Sequence, residues 1–206
     1  MICACLGRVK WLGVRTRIHK AAIQGGLRAI TLAGCLWATS PLLAGEKLIG
    51  TRPSEWQAEH WLNSSALSLS ELRGKVVLVR WWTAPGCSYC KATAPALNEF
   101  YATYRSKGLE VIGFYHHKSG SLLNVGQVKR QANKLGFKFP VAIDEGWRTL
   151  KRWWLDRSDQ DWTSVSFLID RQGVIRHIHP GGQYVKGDKA YQEMNAKIEE
   201  LLSEKP

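Results

Sequence analysis

Two cysteines separated by two residues, Cys87 and Cys90, are the side chains of this sequence best suited to chemistry. They follow an apolar run that predicts a buried strand over 76–82, and they precede a segment with helical spacing over 88–106. The first turn of a helix offers free backbone N–H groups and the positive end of the helix dipole, and both stabilise a thiolate. A Cys-x-x-Cys pair placed there is suited to thiol–disulfide exchange.

Two other interpretations of the pair are weaker. A purely structural disulfide would close so short a loop that it would remove little chain entropy from the unfolded state. A zinc site would need further ligands, which His116 and His117 could supply, but the sequence has no second Cys-x-x-Cys motif and its context is strand–turn–helix. These two histidines follow a predicted strand over 109–115, so they could also reach the end of the sheet that carries the cysteines.

The amino terminus has the pattern of an export signal. The protein has 206 residues and a net charge of +12, and its first 28 residues contain six basic side chains and no acid: Arg8, Lys10, Arg15, Arg17, Lys20 and Arg28. An apolar run over 29–43 follows, so 1–44 is predicted to be a signal peptide cleaved after Ala44 or an N-terminal membrane anchor. Lipidation at Cys35 is a further alternative. Because the charge is concentrated in this segment, we do not expect nucleic-acid binding.

The remaining chain predicts a lead-in of unassigned structure over 45–66 and one α/β domain over 67–206. Alternating strands and helices indicate parallel pairing, and a closing hairpin adds antiparallel strands. The expected architecture is a central mixed sheet flanked by helices. Beyond the elements given above, the predicted strands are 139–144, 167–170 and 174–178, and the predicted helices are 122–135, 147–155 and 189–202.

Several motifs together resemble the TlpA/ResA-like branch of the thioredoxin superfamily. They are the run Arg73–Val79, the Trp-rich turn before the cysteines, the Cys-x-x-Cys pair and the run Phe167–Gly173, and the similarity extends over about residues 63–203. The resemblance implies a thioredoxin-like three-layer sandwich. It also implies a thiol–disulfide oxidoreductase of the protein disulfide reductase type, with Cys87 and Cys90 as its catalytic residues.

The same resemblance implies partners and a location. Protein disulfides or thiols would be the substrates, a membrane-bound protein is a possible electron donor, and no cofactor or metal is expected. The protein would be exported or periplasmic, free or tethered to the inner membrane, and would touch the membrane only through an uncleaved or lipidated N-terminus.

The sequence departs from the superfamily pattern at three places. Arg80 stands where thioredoxin has a buried aspartate, and it could either stabilise a thiolate or point outward. Pro85 and Gly86 replace the usual tryptophan before the first cysteine. No proline precedes the 167–170 strand at the superfamily's cis-proline position, so Thr163 or Ser164 would face the disulfide there.

Other residues are candidates for the substrate groove or for tuning the cysteines: Thr83, Ser88, Tyr89, Trp162, His179 and Gly181. Two alternative functions remain. In a thiol peroxidase of the peroxiredoxin or glutathione-peroxidase kind, Cys87 would be oxidised to a sulfenic acid and Cys90 would resolve it, with Thr83 and Trp162 polarising the peroxide. In a metal-binding chaperone, the two cysteines and a nearby histidine would hold the ion.

Overall fold

Six strands form one sheet in the computed structural model, which describes residues 45–157 and 161–205. The segment predicted to be a signal peptide or anchor lies outside the described residues. The strands are β1 (His60–Leu62), β2 (Val76–Trp82), β3 (Leu109–Tyr115), β4 (Val141–Ile143), β5 (Ser166–Ile169) and β6 (Ile175–His179). Their order in the sheet is β1-β4-β3-β2-β5-β6.

The sheet is mixed, as predicted. Strands β2, β3 and β4 run parallel, whereas β1, β5 and β6 pair antiparallel with their neighbours. Every residue of β2 and β3 is buried, which explains why these strands are mostly apolar rather than alternating, with Arg80 and Glu110 as the charged exceptions. The two strands end side by side, with Trp82 opposite Tyr115, and the cysteine pair follows at this edge.

Within the described residues, four α-helices accompany the sheet: α1 (Ser88–Tyr104), α2 (Val125–Lys134), α3 (Arg148–Leu150) and α4 (Lys189–Ser203). Helix α3 continues into a wider, π-helical turn, Lys151–Leu155. Short 3₁₀ turns occupy Glu46–Leu48, Arg105–Lys107 and Glu145–Trp147. No helix in the described ranges is long and apolar enough to cross a membrane.

Hydrophobic cores cover both faces of the sheet. On one face, Leu78 and Trp82 of β2 pack with apolar residues of α1 and α4. On the other, Val79 and Trp81 pack into a cluster rich in tryptophan. This alternation follows from the strand geometry, in which successive side chains point to opposite faces.

The segment over 45–66, to which the sequence assigned no structure, contributes to the tryptophan-rich face. It supplies β1, and Leu48 and Trp56 are both buried in that core. The indole N–H of Trp56 donates a hydrogen bond to the Leu67 carbonyl (2.7 Å), which fixes the segment against the rest of the sheet.

Candidate active site

The two cysteines lie where β2 gives way to α1. Cys87 is the N-cap of α1 in an extended conformation, and its sulfur accepts a hydrogen bond from the Cys90 backbone N–H (3.1 Å). The two sulfur atoms are 2.11 Å apart, at disulfide distance. The first turn of α1 contains no acidic residue, so nothing there opposes the positive end of the helix dipole. The predicted strand–cysteine–helix arrangement is confirmed.

The two cysteines differ in accessibility. Cys87 is half-buried, whereas Cys90 is only 3% exposed and belongs to the hydrophobic core beneath α1. A partner protein can therefore approach the Cys87 sulfur from solvent, while the Cys90 sulfur is reached from inside the protein.

A cleft of about 370 Å³ opens over the disulfide. It brings together seven of the residues that the sequence singled out: Thr83, Pro85, Ser88, Tyr89, Trp162, Thr163 and Ser164. The last two reach the cleft from the segment before β5, where the superfamily has its proline. Sequence reasoning missed Lys118 and Asp161, which also line the cleft.

Two exposed aromatic side chains border the cleft. The rings of Tyr89 and Trp162 meet edge to face at 5.9 Å, and Trp162 is 51% exposed. The indole N–H of Trp154 donates to the Trp162 carbonyl (2.8 Å) and so anchors this residue from the core. Gly181 lies against Trp162, because a Cβ at position 181 would come within 2.6 Å of the Trp162 Cβ.

Arg80 points inward, which settles the two orientations that the sequence left open. Its side chain is fully buried, and its guanidinium donates to the carbonyls of Ser164 and Gly182 (the latter at 2.7 Å) and to the Ser166 hydroxyl (3.3 Å). It also lies over the Tyr184 ring at 5.3 Å. Arg80 thus ties the segment facing the disulfide to the glycine-containing loop after β6.

No carboxylate pairs with Arg80 among the described residues. Burial lowers the pKa of its guanidinium below the ordinary value, but an arginine side chain keeps its proton in proteins. The buried group at this position of β2 is therefore a positive charge, bonded to the cleft residue Ser164, where thioredoxin has an acid.

The two adjacent histidines separate into different environments. His116 is 1% exposed and lines the disulfide cleft, whereas His117 faces a neighbouring polar cleft together with Ser121 and Asn124. The ring nitrogens of His117 pair with the Tyr115 hydroxyl (3.0 Å) and the Ser121 carbonyl (2.8 Å). Of the two, only His116 reaches the cysteines' cleft.

The structure places His179 away from the disulfide cleft, although the sequence suggested it as a groove wall. Its ring packs edge to face on Tyr184 at 5.1 Å. Burial, followed by the charge of Arg80, lowers the pKa of His179 to about 4. Among the described residues, no three His, Cys, Asp or Glu side chains gather as ligands for a metal ion.

Comparison with known proteins identifies the family. The redoxin family model matches residues 58–196, which is most of the chain. The chain belongs to the redoxin family. It is 32% identical over 158 residues to the protein DipZ of Mycobacterium bovis, covering 75% of this chain but 21% of DipZ. It is also 32% identical over 114 residues to the thiol-disulfide oxidoreductase ResA of Bacillus anthracis, covering 55% of this chain and 60% of ResA.

Solved structures of other proteins share the fold of this redoxin-family chain. A thiol-disulfide isomerase from Corynebacterium glutamicum superposes with a TM-score of 0.62 at 27% identity, covering 76% of this chain and 98% of that one. A thiol:disulfide interchange protein from Chlorobium tepidum gives a TM-score of 0.59 at 18% identity, covering 75% and 97%. The predicted thioredoxin-like α/β fold is confirmed. The chain spans about a fifth of the length of its DipZ relatives (21%).

Proposed function

We propose that this protein is a thiol–disulfide oxidoreductase that exchanges disulfides with partner proteins through Cys87 and Cys90. The observation that carries the proposal is the asymmetry of the pair: an accessible sulfur at the start of α1 beside a buried one three residues on. The similarity to ResA, a thiol-disulfide oxidoreductase, supports the same chemistry.

In the first step, the Cys87 thiolate attacks one sulfur of a partner's disulfide. A Cys87–partner bond forms, the partner's S–S bond breaks, and the second partner sulfur leaves as a thiolate. The Cys90 backbone N–H, 3.1 Å from the Cys87 sulfur, and the dipole of α1 stabilise the negative charge on Cys87 before attack.

In the second step, Cys90 attacks the Cys87 sulfur from inside the protein. The Cys87–Cys90 bond forms, the bond from Cys87 to the partner breaks, and the partner's remaining sulfur leaves. Two electrons have then passed from the cysteine pair to the partner. The reverse sequence oxidises a partner dithiol, so the same site serves either direction according to the reduction potentials.

The aromatic edge of the cleft supports a protein substrate rather than a small thiol. Tyr89 and Trp162 present exposed rings at the disulfide cleft, and the buried residues Thr163 and Ser164 line the same cleft. Aromatic side chains with an exposed face are enriched where proteins bind one another. An extended stretch of a partner that carries a disulfide fits between them.

Reduction of insulin disulfides tests this proposal. With a chemical reductant supplying electrons, the native protein should accelerate insulin precipitation, and Cys87→Ser should abolish the acceleration. Cys90→Ser should accumulate a mixed disulfide instead of turning over. Full activity of Cys87→Ser would contradict the proposal.

A thiol peroxidase is the second candidate, because Thr83 and Trp162 line the same cleft as Cys87. Hydrogen peroxide would then oxidise the Cys87 thiolate to a sulfenic acid, with which Cys90 would condense to give the disulfide and water. Consumption of hydrogen peroxide by the pre-reduced protein, at a rate far above that of a free thiol, would favour this candidate over disulfide exchange. Metal that stays bound through purification under reducing conditions would favour the chaperone alternative.

We also propose that the protein is exported and that a membrane-bound donor keeps its cysteines reduced. The basic and apolar pattern over 1–44 supports export, whether the segment is cleaved, lipidated or retained. Fractionation of cells producing the full chain tests the location, since an exported protein leaves the cytoplasmic fraction. Mass measurement of the purified product distinguishes cleavage after Ala44, lipidation at Cys35 and retention.

A further inference from the structure

His116 is a buried polar side chain whose ring nitrogens make no regular hydrogen bond within the described part of the chain. It follows the last residue of β3, and its backbone N–H donates to the Trp82 carbonyl (3.0 Å). In contrast, neither nitrogen of its imidazole ring has a hydrogen-bond partner among the described residues. The ring lines the cleft that holds Cys87 and Cys90.

An unpaired buried polar group is costly. Leaving a buried donor or acceptor without a partner destabilises the folded protein, so most such groups in native proteins are paired. Among the described residues, neither ring nitrogen of His116 makes a hydrogen bond of normal geometry, although the Trp82 carbonyl lies close enough to raise the pKa of the ring, and Trp147 packs edge to face on it at 5.3 Å. A buried imidazole at the lining of a reactive cleft is therefore available to a partner that forms during the reaction.

The charged surroundings of His116 favour its neutral form while the cysteines are joined. Burial lowers the pKa of His116 to about 3, and the positive charges of Lys118 and Arg80 act in the same direction. The acid that lines the cleft, Asp161, is exposed to solvent. Beside the disulfide the imidazole is therefore neutral, and it becomes a base strong enough to hold a proton only when a thiolate stands next to it.

The resolving step of the proposed function needs such an acceptor. Cys90 is buried and must lose its thiol proton before its sulfur can attack Cys87. The other polar side chains of the cleft with access to the interior are hydroxyls. Arg80, whose guanidinium donates to the carbonyl of the cleft residue Ser164, is a cation that cannot accept a proton.

We propose that His116 is the proton carrier of the Cys90 thiol in the resolving step. This inference rests on the proposed function. A ring nitrogen of His116 takes the proton from the Cys90 sulfur, and the electron pair left on that sulfur forms the bond to Cys87. The Cys87–partner bond breaks, its electron pair leaves on the partner's sulfur, and the imidazolium returns the proton to that sulfur or to water. In the reverse direction His116 protonates Cys90 as the disulfide opens.

Ellman's reagent separates the two steps. The reduced protein attacks this aromatic disulfide with Cys87 and releases one coloured thiolate, and resolution by Cys90 releases a second. In His116→Gln the first release should stay within about twofold of native, while the second slows about tenfold or more at neutral pH. Above the pH at which thiols ionise unaided, about 9–10, the two proteins should converge, because no proton remains to be carried.

His117→Gln is the matched control, because His117 is adjacent in sequence but bonded outside the disulfide cleft. It should leave both releases unchanged. A second-release rate in His116→Gln equal to native across the pH range would overturn the inference while leaving disulfide exchange intact. Absence of the second release from the native protein would instead contradict the proposed function itself.

A measurement on the native protein does not depend on the variant folding. Nuclear magnetic resonance of the histidine rings can follow the titration of His116 in the oxidised and reduced states. The inference predicts a higher pKa for His116 in the reduced protein, because a nearby thiolate stabilises the imidazolium. The same pKa in both states would overturn it.

Discussion

The two faces of β2 hold their buried polar groups in different ways. On the tryptophan-rich face, the Trp81 indole N–H donates to the Asp144 carboxylate (3.0 Å), which also accepts from the backbone N–H groups of Thr149 (2.9 Å) and Leu150 (2.7 Å). On the face that packs against α1, Nε of Arg80 and Nε1 of Trp82 have no partner among the described residues.

The difference distinguishes polar groups that stabilise the fold from polar groups that are available to the redox reaction. Asp144 is 1% exposed and its hydrogen bonds counter the effect of burial, which raises its pKa. Such a satisfied network stabilises one arrangement of the chain. On the other face, Arg80 is hydrogen-bonded through its terminal nitrogens but has no carboxylate partner among the described residues and an unused Nε, and the ring nitrogens of His116 are likewise unused there. Polar groups on the first face should therefore matter for folding alone, and those near the cysteines for the redox reaction as well.

Removal of the Asp144 carboxylate should give the largest effect. Asp144→Ala leaves the Trp81 indole N–H and two backbone N–H groups buried without an acceptor, so the free energy of unfolding should fall by about 3 kcal/mol. Urea unfolding measures this loss. Asp144→Asn, which keeps a carbonyl acceptor, should lose less. The rate of insulin reduction per folded molecule should equal that of the native protein. A specific loss of that rate would contradict the assignment of Asp144 to folding rather than to the redox reaction.

Stability of the oxidised protein should fall as the pH drops below about 6.5. His116 and His179 have pKa values lowered from 6.5 to about 3 and about 4, so below 6.5 the unfolded chain binds protons that the folded protein does not. Their contribution is present above 6.5 and is lost towards acid, by about 2 kcal/mol for each histidine at about pH 5. Unfolding at neutral pH and at about pH 5 measures it.

Replacement of both histidines supplies the control for this pH dependence. The variant carrying His116→Gln and His179→Gln should show a much smaller difference between the two pH values. An undiminished difference would mean that other groups cause the acid sensitivity.

Variants of Arg80 separate its charge from its hydrogen bonds. Arg80→Met leaves the carbonyls of Ser164 and Gly182 without their donor, so the free energy of unfolding should fall by about 2 kcal/mol. It should also raise the pKa of the Cys87 thiol relative to native, because a nearby positive charge is lost. Arg80→Lys should lose similar stability but keep the native thiol pKa. The pH dependence of alkylation by iodoacetamide reports that pKa, and equal values in both variants would refute a role for the charge.

Gly181→Ala should have the smallest effect. Its Cβ would stand 2.6 Å from the Trp162 Cβ, so Trp162 must move at the edge of the cleft. We expect the KM for a protein disulfide to rise about threefold, equivalent to less than 1 kcal/mol, with kcat unchanged. Gly120→Ala is the control, since a Cβ there meets nothing within 4 Å. An unchanged KM in Gly181→Ala would show that Trp162 does not belong to the surface that binds the partner.

The sequence predicted the central elements closely because local signals determine them. The bounds of β2 and β3 agree with the predicted strands, since a mostly apolar run gives way to polar or turn residues in both cases. The cysteines at the start of α1 followed from the same pattern. Strand β1 was not predicted, because three residues, His60–Leu62, are too few to show an alternation of apolar and polar side chains. The strand is held by pairing with β4, about 80 residues further along the chain.

The interior of the site could not be predicted in the same way. All seven residues of β2 are buried, so alternation between the two faces gave no sign of which way Arg80 points. His116 and His117 are equivalent in sequence. Contacts with distant or looped segments separate them: Trp147 packs on the His116 ring, and the Ser121 carbonyl holds the His117 ring in the neighbouring cleft.

Identification of the sulfur that carries the partner tests the central claim most directly. A synthetic peptide containing one disulfide is mixed with reduced Cys90→Ser and, as the matched control, with reduced Cys87→Ser; mass spectrometry of the digested products locates the adduct. The account predicts a stable adduct on Cys87 in the first variant and almost none on Cys90 in the second, because Cys90 is buried. Equal adducts on both cysteines, or adduct on Cys90 alone, would contradict it.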